Sequence, residues 1–208
     1  MTSVQYGCGL SAPANWLSFD ASLRLRFERV PVLGRMSRLF PPNVMYGDIV
    51  KGLPVQLGSA ARLYASHVLE HLSYCDAVAA LKNSYSVLRP GGVFRLIVPD
   101  LAVRASRYVE RVKAHDACAA HDFLDSLMMS ERRSRSVGVD VFSALGNSRH
   151  RWMWDEASMA EALERSGFID IRRCAFGDSP DEAFSEVEDI GRFIDGGLQE
   201  LAMECRRP

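Results

Sequence analysis

The first residues that could do chemistry are two glycines that follow a short apolar segment. Val4 to Tyr6 predicts a strand, and Gly7-Cys8-Gly9 predicts a turn at its end. Because glycine has no Cβ, the backbone of such a turn can approach a ligand closely. With Ala12 the turn also matches the dinucleotide-binding fingerprint G-x-G-x-x-A, although a glycine-rich turn without a ligand explains this pattern equally well.

A carboxylate at the end of the second predicted strand favours the ligand interpretation. Trp16 to Phe19 predicts this strand, and Asp20 at its end could accept hydrogen bonds from both hydroxyls of a ribose. In dinucleotide-binding proteins the acidic residue lies about 20 residues further on, after a helix whose N-terminus holds the pyrophosphate. Here the gap is shorter and contains Pro13, so no such helix fits. The spacing therefore predicts a nucleoside ligand without phosphates.

A third short strand, predicted over Val44 to Tyr46, ends at Gly47-Asp48. From this position the Asp48 side chain could contact the amino edge of an adenine. A solvated carboxylate in a turn is an equally good interpretation.

The segment from His67 to His71 spells H-x-x-E-H, the inverted form of a zinc-protease motif. On a helix the two histidines would lie on one face as zinc ligands, with Glu70 as the base. The segment instead follows a buried strand and leads into a helix that ends at Pro-Gly-Gly, and no third ligand is evident. We therefore expect no metal site, and expect Glu70 and His71 to make local polar contacts.

The segment from Tyr64 to Asp100 indicates which elements position these residues. It has the pattern of a buried strand, a turn, a helix and a second buried strand, which is one βαβ unit of a parallel sheet. Apolar spacing and turn residues predict further helices over 23–39, 101–115, 117–129 and 155–166, and late strands over 168–176 and 198–206. The predicted fold class is therefore α/β, a doubly wound sheet with a late hairpin-like addition.

Composition limits the classes of protein that the chain can represent. Its 208 residues, 48% of them hydrophobic, are typical of a globular protein, so we expect one domain over 1–208. The net charge of −1 gives no electrostatic basis for binding nucleic acid or anionic lipid. Five cysteines without C-x-x-C spacing fit a reducing compartment. With no signal-like N-terminus and no apolar run that could span a bilayer, we expect a cytoplasmic protein, and the oligomeric state stays open.

Taken in order, the motifs resemble those of the class I S-adenosylmethionine-dependent methyltransferases, especially small members of the type 11 kind. The resemblance extends over nearly the whole chain and is carried by Gly7-Cys8-Gly9, Asp20, Gly47-Asp48, Ser66 to Leu72 (SHVLEHL), Leu88 to Gly92 (LRPGG) and Ser166-Gly167-Phe168. It implies a Rossmann-like, mostly parallel sheet of seven strands whose last strand, over 198–206, is antiparallel.

The resemblance also implies S-adenosylmethionine as the cofactor and a set of contacts to it. Gly7, Cys8 and Gly9 would lie against its methionine part, and Asp20 would bind the ribose. Asp48 and Ile49 would surround the adenine, and Ser66 and His67 would lie near the sulfonium.

Gln5 is one of the departures from the family pattern, and it keeps other functions open. Many relatives have an acid two residues before the first glycine, where it binds the amino group of the cofactor, and this chain has Gln5. A protein that kept the fold but lost catalysis, and acts through partners, is one alternative. A nicotinamide-dependent oxidoreductase is another, which the short gap before Asp20 disfavours.

Three residues are candidates for the base that a proton-bearing acceptor would need. His67 ends the fourth strand, Asp100 ends the fifth, and His150 lies just before the late helix. Histidine suits this role because its ordinary pKa lies near neutrality. Each has a plainer interpretation: a structural or cofactor-shaping role for His67, a helix cap for Asp100, and a surface position for His150.

The helical insertion over 101–154, after the fifth strand, is the predicted cover over the substrate. Its basic and aromatic residues could hold an anionic or sugar-like acceptor by charge and stacking, and they are Arg132, Arg133, Arg135, Arg149, Arg151, Trp152 and Trp154. A solvated basic face, with the tryptophans in the core, is the alternative. Together with the resemblance, this insertion suggests a small-molecule or saccharide-type (glycan) acceptor.

Overall fold

The computed structural model describes residues 1–29, 39–128 and 149–208. Its central feature is a seven-stranded sheet. In spatial order the strands are β3 (Val44–Tyr46), β2 (Trp16–Asp20), β1 (Thr2–Tyr6), β4 (Ala60–Ser66), β5 (Leu88–Val98), β9 (Leu201–Arg206) and β6 (Ile169–Arg173).

The pairing of these strands confirms the predicted fold class. β3, β2, β1, β4 and β5 are parallel to one another, and β9 runs antiparallel to both β5 and β6. The chain order reverses between β1 and β4, so the parallel strands diverge there at their carboxyl ends. This is a mostly parallel, Rossmann-like sheet with an antiparallel last strand.

The predicted strand over 198–206 is divided in the structure. Leu198–Gln199 forms β8, which pairs with β7 (Ile194–Asp195) in a separate hairpin. The division falls at Glu200, whose backbone N–H donates to the carbonyl of Phe193 and whose carboxylate bonds Arg104. The side chain of Glu200 is thereby held in the interior.

Five α-helices lie in the described ranges: α1 (Leu23–Glu28), α2 (Tyr74–Val87), α3 (Leu101–Lys113), α4 (Ala119–Ser126) and α5 (Glu156–Arg165). Ser73 caps α2, and Asp155 with Ser158 forms a capping box at the start of α5. The predicted helix over 23–39 is described only as far as residue 29. None of these helices combines the length and hydrophobicity that a membrane span requires.

The helices after β5 confirm the predicted helical insertion, and buried ionic contacts attach it to the sheet. The Arg104 guanidinium, on α3, donates to both oxygens of Glu200 at 2.8 Å. The backbone N–H of Leu101 donates to the carbonyl of Trp154. Residues 129–148, which include the predicted acceptor contacts Arg132, Arg133 and Arg135, lie outside the described residues.

The turn after β1 contains no helix, since residues 7–15 form only turns and extended backbone in this described stretch. Gly7 has φ +64°, and a Cβ there would lie 2.1 Å from Cγ2 of Val68. Gln5 supports the turn, because its amide donates to the carbonyl of Ser11 and the hydroxyl of Ser18. Gly7 is therefore required both for its backbone conformation and for the close approach of Val68.

We expect Gly7→Ala to destabilise the protein more than Gly9→Ala. Both residues have positive φ, but a Cβ at Gly9 would meet no atom within 4 Å. Left-handed backbone should therefore cost each variant roughly 1–2 kcal/mol. The clash with Val68 should add roughly 1–3 kcal/mol for Gly7→Ala alone. Urea unfolding measures the free energy of unfolding of both variants. Adding Val68→Ala to Gly7→Ala should remove the clash and leave a loss of stability close to that of Gly9→Ala. Equal losses in the two single variants would contradict this account.

Candidate functional site

A cavity of about 470 Å³ opens at the carboxyl ends of the parallel strands. Its volume lies within the range of about 300–1,000 Å³ that small-molecule sites occupy. The residues after β1, β2, β3 and β4 all contribute to its wall. Of the predicted cofactor contacts, Gly7, Asp20, Asp48, Ile49 and His67 line it.

Asp20 lies at the end of β2 with its carboxylate held by the backbone. One carboxylate oxygen accepts from the N–H of Ser22 at 2.8 Å, and the other accepts from the N–H of Gly9 at 3.1 Å. Each carboxylate oxygen can accept more than one hydrogen bond, so both keep capacity toward the cavity. The Gly9 turn thus fixes the direction of a carboxylate that can still bind a diol.

Asp48 and Ile49 form the wall of the cavity beyond β3. The Asp48 carboxylate accepts from the N–H of Val50 and lies 3.4 Å from Nζ of Lys51. The Ile49 side chain is buried, and its carbonyl accepts from the Asn83 side chain on α2. Asp48 therefore orders its own turn, while Ile49 offers an apolar surface.

Three predicted cofactor contacts, Cys8, Gly9 and Ser66, do not line this cavity. Cys8 packs in a small apolar cluster with Leu25 and Val44. Burial, with a smaller contribution from the nearby Asp20 charge, raises the pKa of the Cys8 thiol to about 12. Cys8 is therefore a neutral packing residue in this structure. Gly9 contributes to the cavity indirectly, because its backbone N–H holds the Asp20 carboxylate that lines it.

His67 occupies an unusual backbone position at the end of β4, with φ +55°. Its Nε2 lies 3.0 Å from the carbonyl oxygen of Arg192, and its Nδ1 lies 3.2 Å from Oε1 of Glu70. Burial lowers the pKa of His67, but contact with the Glu70 carboxylate and the Arg192 carbonyl outweighs burial and raises it overall. Because both ring nitrogens are directed toward protein acceptors, neither is directed toward a group in the cavity.

Asp100 is buried and lies outside the cavity wall. One of its carboxylate oxygens accepts from the backbone N–H groups of Ala102 and Val103, which caps α3. The other accepts from the guanidinium of Arg173 at 2.8 Å. The capping interpretation of Asp100 is therefore what the structure shows.

His150 lies next to two residues of the H-x-x-E-H segment. Its ring is 5.1 Å from that of His71, centroid to centroid, and His71 lines the cavity. Burial lowers the pKa of His150, and the neighbouring histidines and Arg104 lower it further against the opposing effect of Glu70. Its Nδ1 is buried and has no hydrogen-bond partner among the described residues. His150 is therefore buried beside other titratable side chains and is not the surface residue that the plainer interpretation predicted.

The residues around His150 are fixed by both backbone and aromatic contacts. The Glu70 carbonyl accepts from the N–H groups of Arg151, at 2.7 Å, and Trp152, at 3.2 Å. Trp154 is buried in the main core, whereas Trp152 is 42% exposed, and each packs against Tyr74. Of the predicted acceptor-binding aromatics, Trp152 keeps a surface for stacking and Trp154 serves the core.

Sequence reasoning missed part of the cavity wall and the connection of Glu70 with His150. Tyr6, Val68, His71 and Leu72 line the cavity although we predicted no ligand contact for them. Their positions beside the predicted Gly7 and His67 could have suggested Tyr6 and Val68. The approach of His150 to Glu70 joins distant parts of the chain, and no local pattern indicates it.

The fold of this chain is similar to that of solved methyltransferase structures. No protein-family model matches the chain, and no curated protein is significantly similar to it. Among solved structures, a SAM-dependent methyltransferase from Archaeoglobus fulgidus is 16% identical, with a TM-score of 0.54 over 99% of this chain and 86% of that chain. A SAM-dependent methyltransferase from Thermotoga maritima is 15% identical, with a TM-score of 0.52 over 100% of this chain and 82% of that one.

A third similar structure is a complex between the Haloferax volcanii methyltransferase activator Trm112 and a methyltransferase. It is 16% identical, with a TM-score of 0.51 over 100% of this chain and 82% of that chain. Identities this low are evidence of architecture only. This chain has the fold of the class I S-adenosylmethionine-dependent methyltransferases.

Proposed function

We propose that this protein is an S-adenosylmethionine-dependent methyltransferase that acts on a small-molecule or saccharide-type acceptor. The observation that carries the proposal is the wall of the cavity at the carboxyl ends of β1 to β4. There Asp20 faces a space bounded by the Gly7 turn, while residues 7–15, all described, contain no helix that could hold a pyrophosphate. This wall suits a nucleoside without phosphates and disfavours a nicotinamide dinucleotide.

The residues present fit the cofactor at its ribose and adenine ends. Asp20 would accept hydrogen bonds from the two ribose hydroxyls, because each of its oxygens has remaining acceptor capacity. Buried Ile49 would pack on the adenine, and Asp48, at the edge of its turn, would contact the amino group. When bound, the cofactor supplies a methyl group activated by its sulfonium.

The fit is weaker at the methionine end. Both amide protons of Gln5 are directed to the protein, toward the Ser11 carbonyl and the Ser18 hydroxyl. Gln5 therefore does not replace the carboxylate that would bind the amino group. This observation supports a second candidate, a protein with this fold that binds the nucleoside but does not transfer the methyl group.

Of the three candidates for the base, we propose His150, rather than His67 or Asp100, as the residue that contacts the acceptor. Asp100 is occupied by its cap and by Arg173, and both nitrogens of His67 face acceptors. His150 has a buried nitrogen without a hydrogen-bond partner in the described structure and contacts His71 on the cavity wall. The exposed face of Trp152 beside this histidine pair would stack against a sugar or other flat acceptor.

We expect S-adenosylmethionine and its demethylated product to raise the melting temperature of the protein. A ligand at about 100 times its dissociation constant stabilises the folded state by roughly 2.7 kcal/mol, which a thermal shift assay detects. NAD at matched concentration should give no shift. A shift with NAD and none with either sulfur nucleoside would overturn the proposal.

Asp20→Asn should weaken binding of the demethylated product about 10- to 100-fold, since hydrogen bonds to a charged group contribute roughly 1.5–3 kcal/mol. Isothermal titration calorimetry measures this. Asp116→Asn is the matched control, because Asp116 also accepts a backbone N–H, from Cys118, but does not line the cavity. Equal affinity in the Asp20 and Asp116 variants would remove Asp20 from the ribose role.

His150→Ala should abolish methyl transfer while the cofactor still binds, because His150 lies beyond the cofactor wall. Transfer of a labelled methyl group to a panel of nucleotide sugars, glycans and small alcohols provides the assay. Full activity in this variant would exclude His150 from the acceptor side. If the wild type binds the cofactor but methylates no member of the panel, the second candidate gains support.

A further inference from the structure

A fully buried carboxylate lies between histidines beside the proposed cofactor cavity. The Glu70 side chain has no solvent exposure, its Oε2 has no hydrogen-bond partner among the described residues, and its Oε1 lies 3.2 Å from Nδ1 of His67. One ligand atom each from Glu70, His71 and His150 lies within 4.8 Å of the other two. We propose that these three side chains bind a divalent transition-metal ion, with Zn²⁺ as the best match.

The orientation of His71 supports this assignment. Its Nδ1 lies 3.2 Å from the carbonyl oxygen of Arg149 and so carries the proton that it donates there. Its other ring nitrogen, Nε2, faces Glu70 and lies 4.0 Å from Oε1. Metal-binding histidines almost always donate their other ring N–H to a carbonyl or a carboxylate in this way.

The position of His150 is fixed independently of any ion. The two backbone bonds from Arg151 and Trp152 to the Glu70 carbonyl bring the preceding residue against the H-x-x-E-H segment. His150 is 9% exposed, and its buried Nδ1 has no hydrogen-bond partner in the described part of the chain. The third ligand that the local sequence lacks is thus supplied by a distant segment.

A buried ion pair alone does not account for Glu70. His67 reaches only one of its oxygens, Oε1, at 3.2 Å. Burying a carboxylate whose other oxygen has no partner is costly, whereas a coordinated metal ion would satisfy it. Tetrahedral ligands with metal–ligand bonds of about 2.0–2.2 Å lie roughly 3.4 Å from one another. Ligand atoms that are now up to 4.8 Å apart must therefore approach by up to roughly 1.4 Å, which requires side-chain rotations.

The donor set indicates the kind of ion. Two imidazoles and one carboxylate form the His₂Glu set of catalytic zinc sites, which leave a fourth position open. Mg²⁺ and Ca²⁺ prefer all-oxygen sites, so the two nitrogen ligands select against them. Of the three proposed ligands, His71 also lines the cavity, which brings the proposed ion next to the proposed cofactor site.

The use of the ion rests on the proposed function. A hydroxyl acceptor bound at the open position would lose its proton to solvent, because the ion lowers the pKa of a bound hydroxyl. The resulting oxygen would form a bond to the methyl carbon as the carbon–sulfur bond breaks, and that electron pair would stay on sulfur to give the neutral thioether. The site would therefore select acceptors that offer an oxygen ligand.

The test measures metal binding directly and does not depend on methyl transfer. The full chain is stripped with a chelator and titrated with Zn²⁺ against a chromophoric competitor, and the visible spectrum with Co²⁺ reports the ligand geometry. We expect one tight site per chain in the wild type. His150→Ala and His71→Ala should each weaken it at least 10- to 100-fold, the range that even an outer partner of a ligand can cost. Far-ultraviolet circular dichroism checks that each variant is folded.

His121→Ala is the matched control, since His121 is exposed on α4 outside the cluster, and it should bind Zn²⁺ as the wild type does. The metal site would be overturned if the wild type binds no Zn²⁺, or if His121→Ala and His150→Ala bind it equally well.

Asp20→Asn separates this outcome from failure of the proposed function. It should keep its affinity for Zn²⁺ and lose affinity for the nucleoside, whereas His150→Ala should lose affinity for Zn²⁺ and keep its affinity for the nucleoside.

Discussion

Two hydrogen bonds to one backbone carbonyl hold the candidate site together. The Glu70 carbonyl accepts them from the N–H groups of Arg151 and Trp152. Glu70 follows β4, whereas the donors come from far along the chain, just before α5. These bonds therefore fasten the segment before α5 onto the edge of the sheet where the cavity opens. The position of His150 relative to the cavity depends on them.

The parallel sheet could be predicted from the sequence because its causes are local. A buried strand, a capped helix, Pro-Gly-Gly and a second buried strand follow one another in the order typical of an α/β sheet. The end of the chain was less predictable. The segment over 198–206 was predicted as one strand, but it divides at Glu200, whose buried contact with Arg104 brings together residues distant in sequence.

The wall of the cavity was predictable in part for the same reason, since Asp20 and Asp48 follow neighbouring strands. The surroundings of His150 were not. The H-x-x-E-H segment has two ligand types but needs a third, and a single sequence does not show that His150 folds against it. Asp100 shows the opposite case, because the end of a strand is both a catalytic position and a helix cap. Only the contact with Arg173 and the capped N–H groups identify its role.

The balance of charge at this edge connects the two halves of the site. The Glu70 side chain is wholly withdrawn from water, and its shortest described ion-pair contact is with His67, whose strained backbone holds the ring between Glu70 and the Arg192 carbonyl. A non-glycine residue with positive φ costs of order 1–3 kcal/mol and persists only where its surroundings impose it. Here the surroundings of His67 impose its contact with Oε1, one of the two oxygens of the buried Glu70 carboxylate. One ligand atom each from Glu70, His71 and His150 lies within 4.8 Å of the other two, so the fold brings two histidines from separate segments to the buried carboxylate that a cation would stabilise.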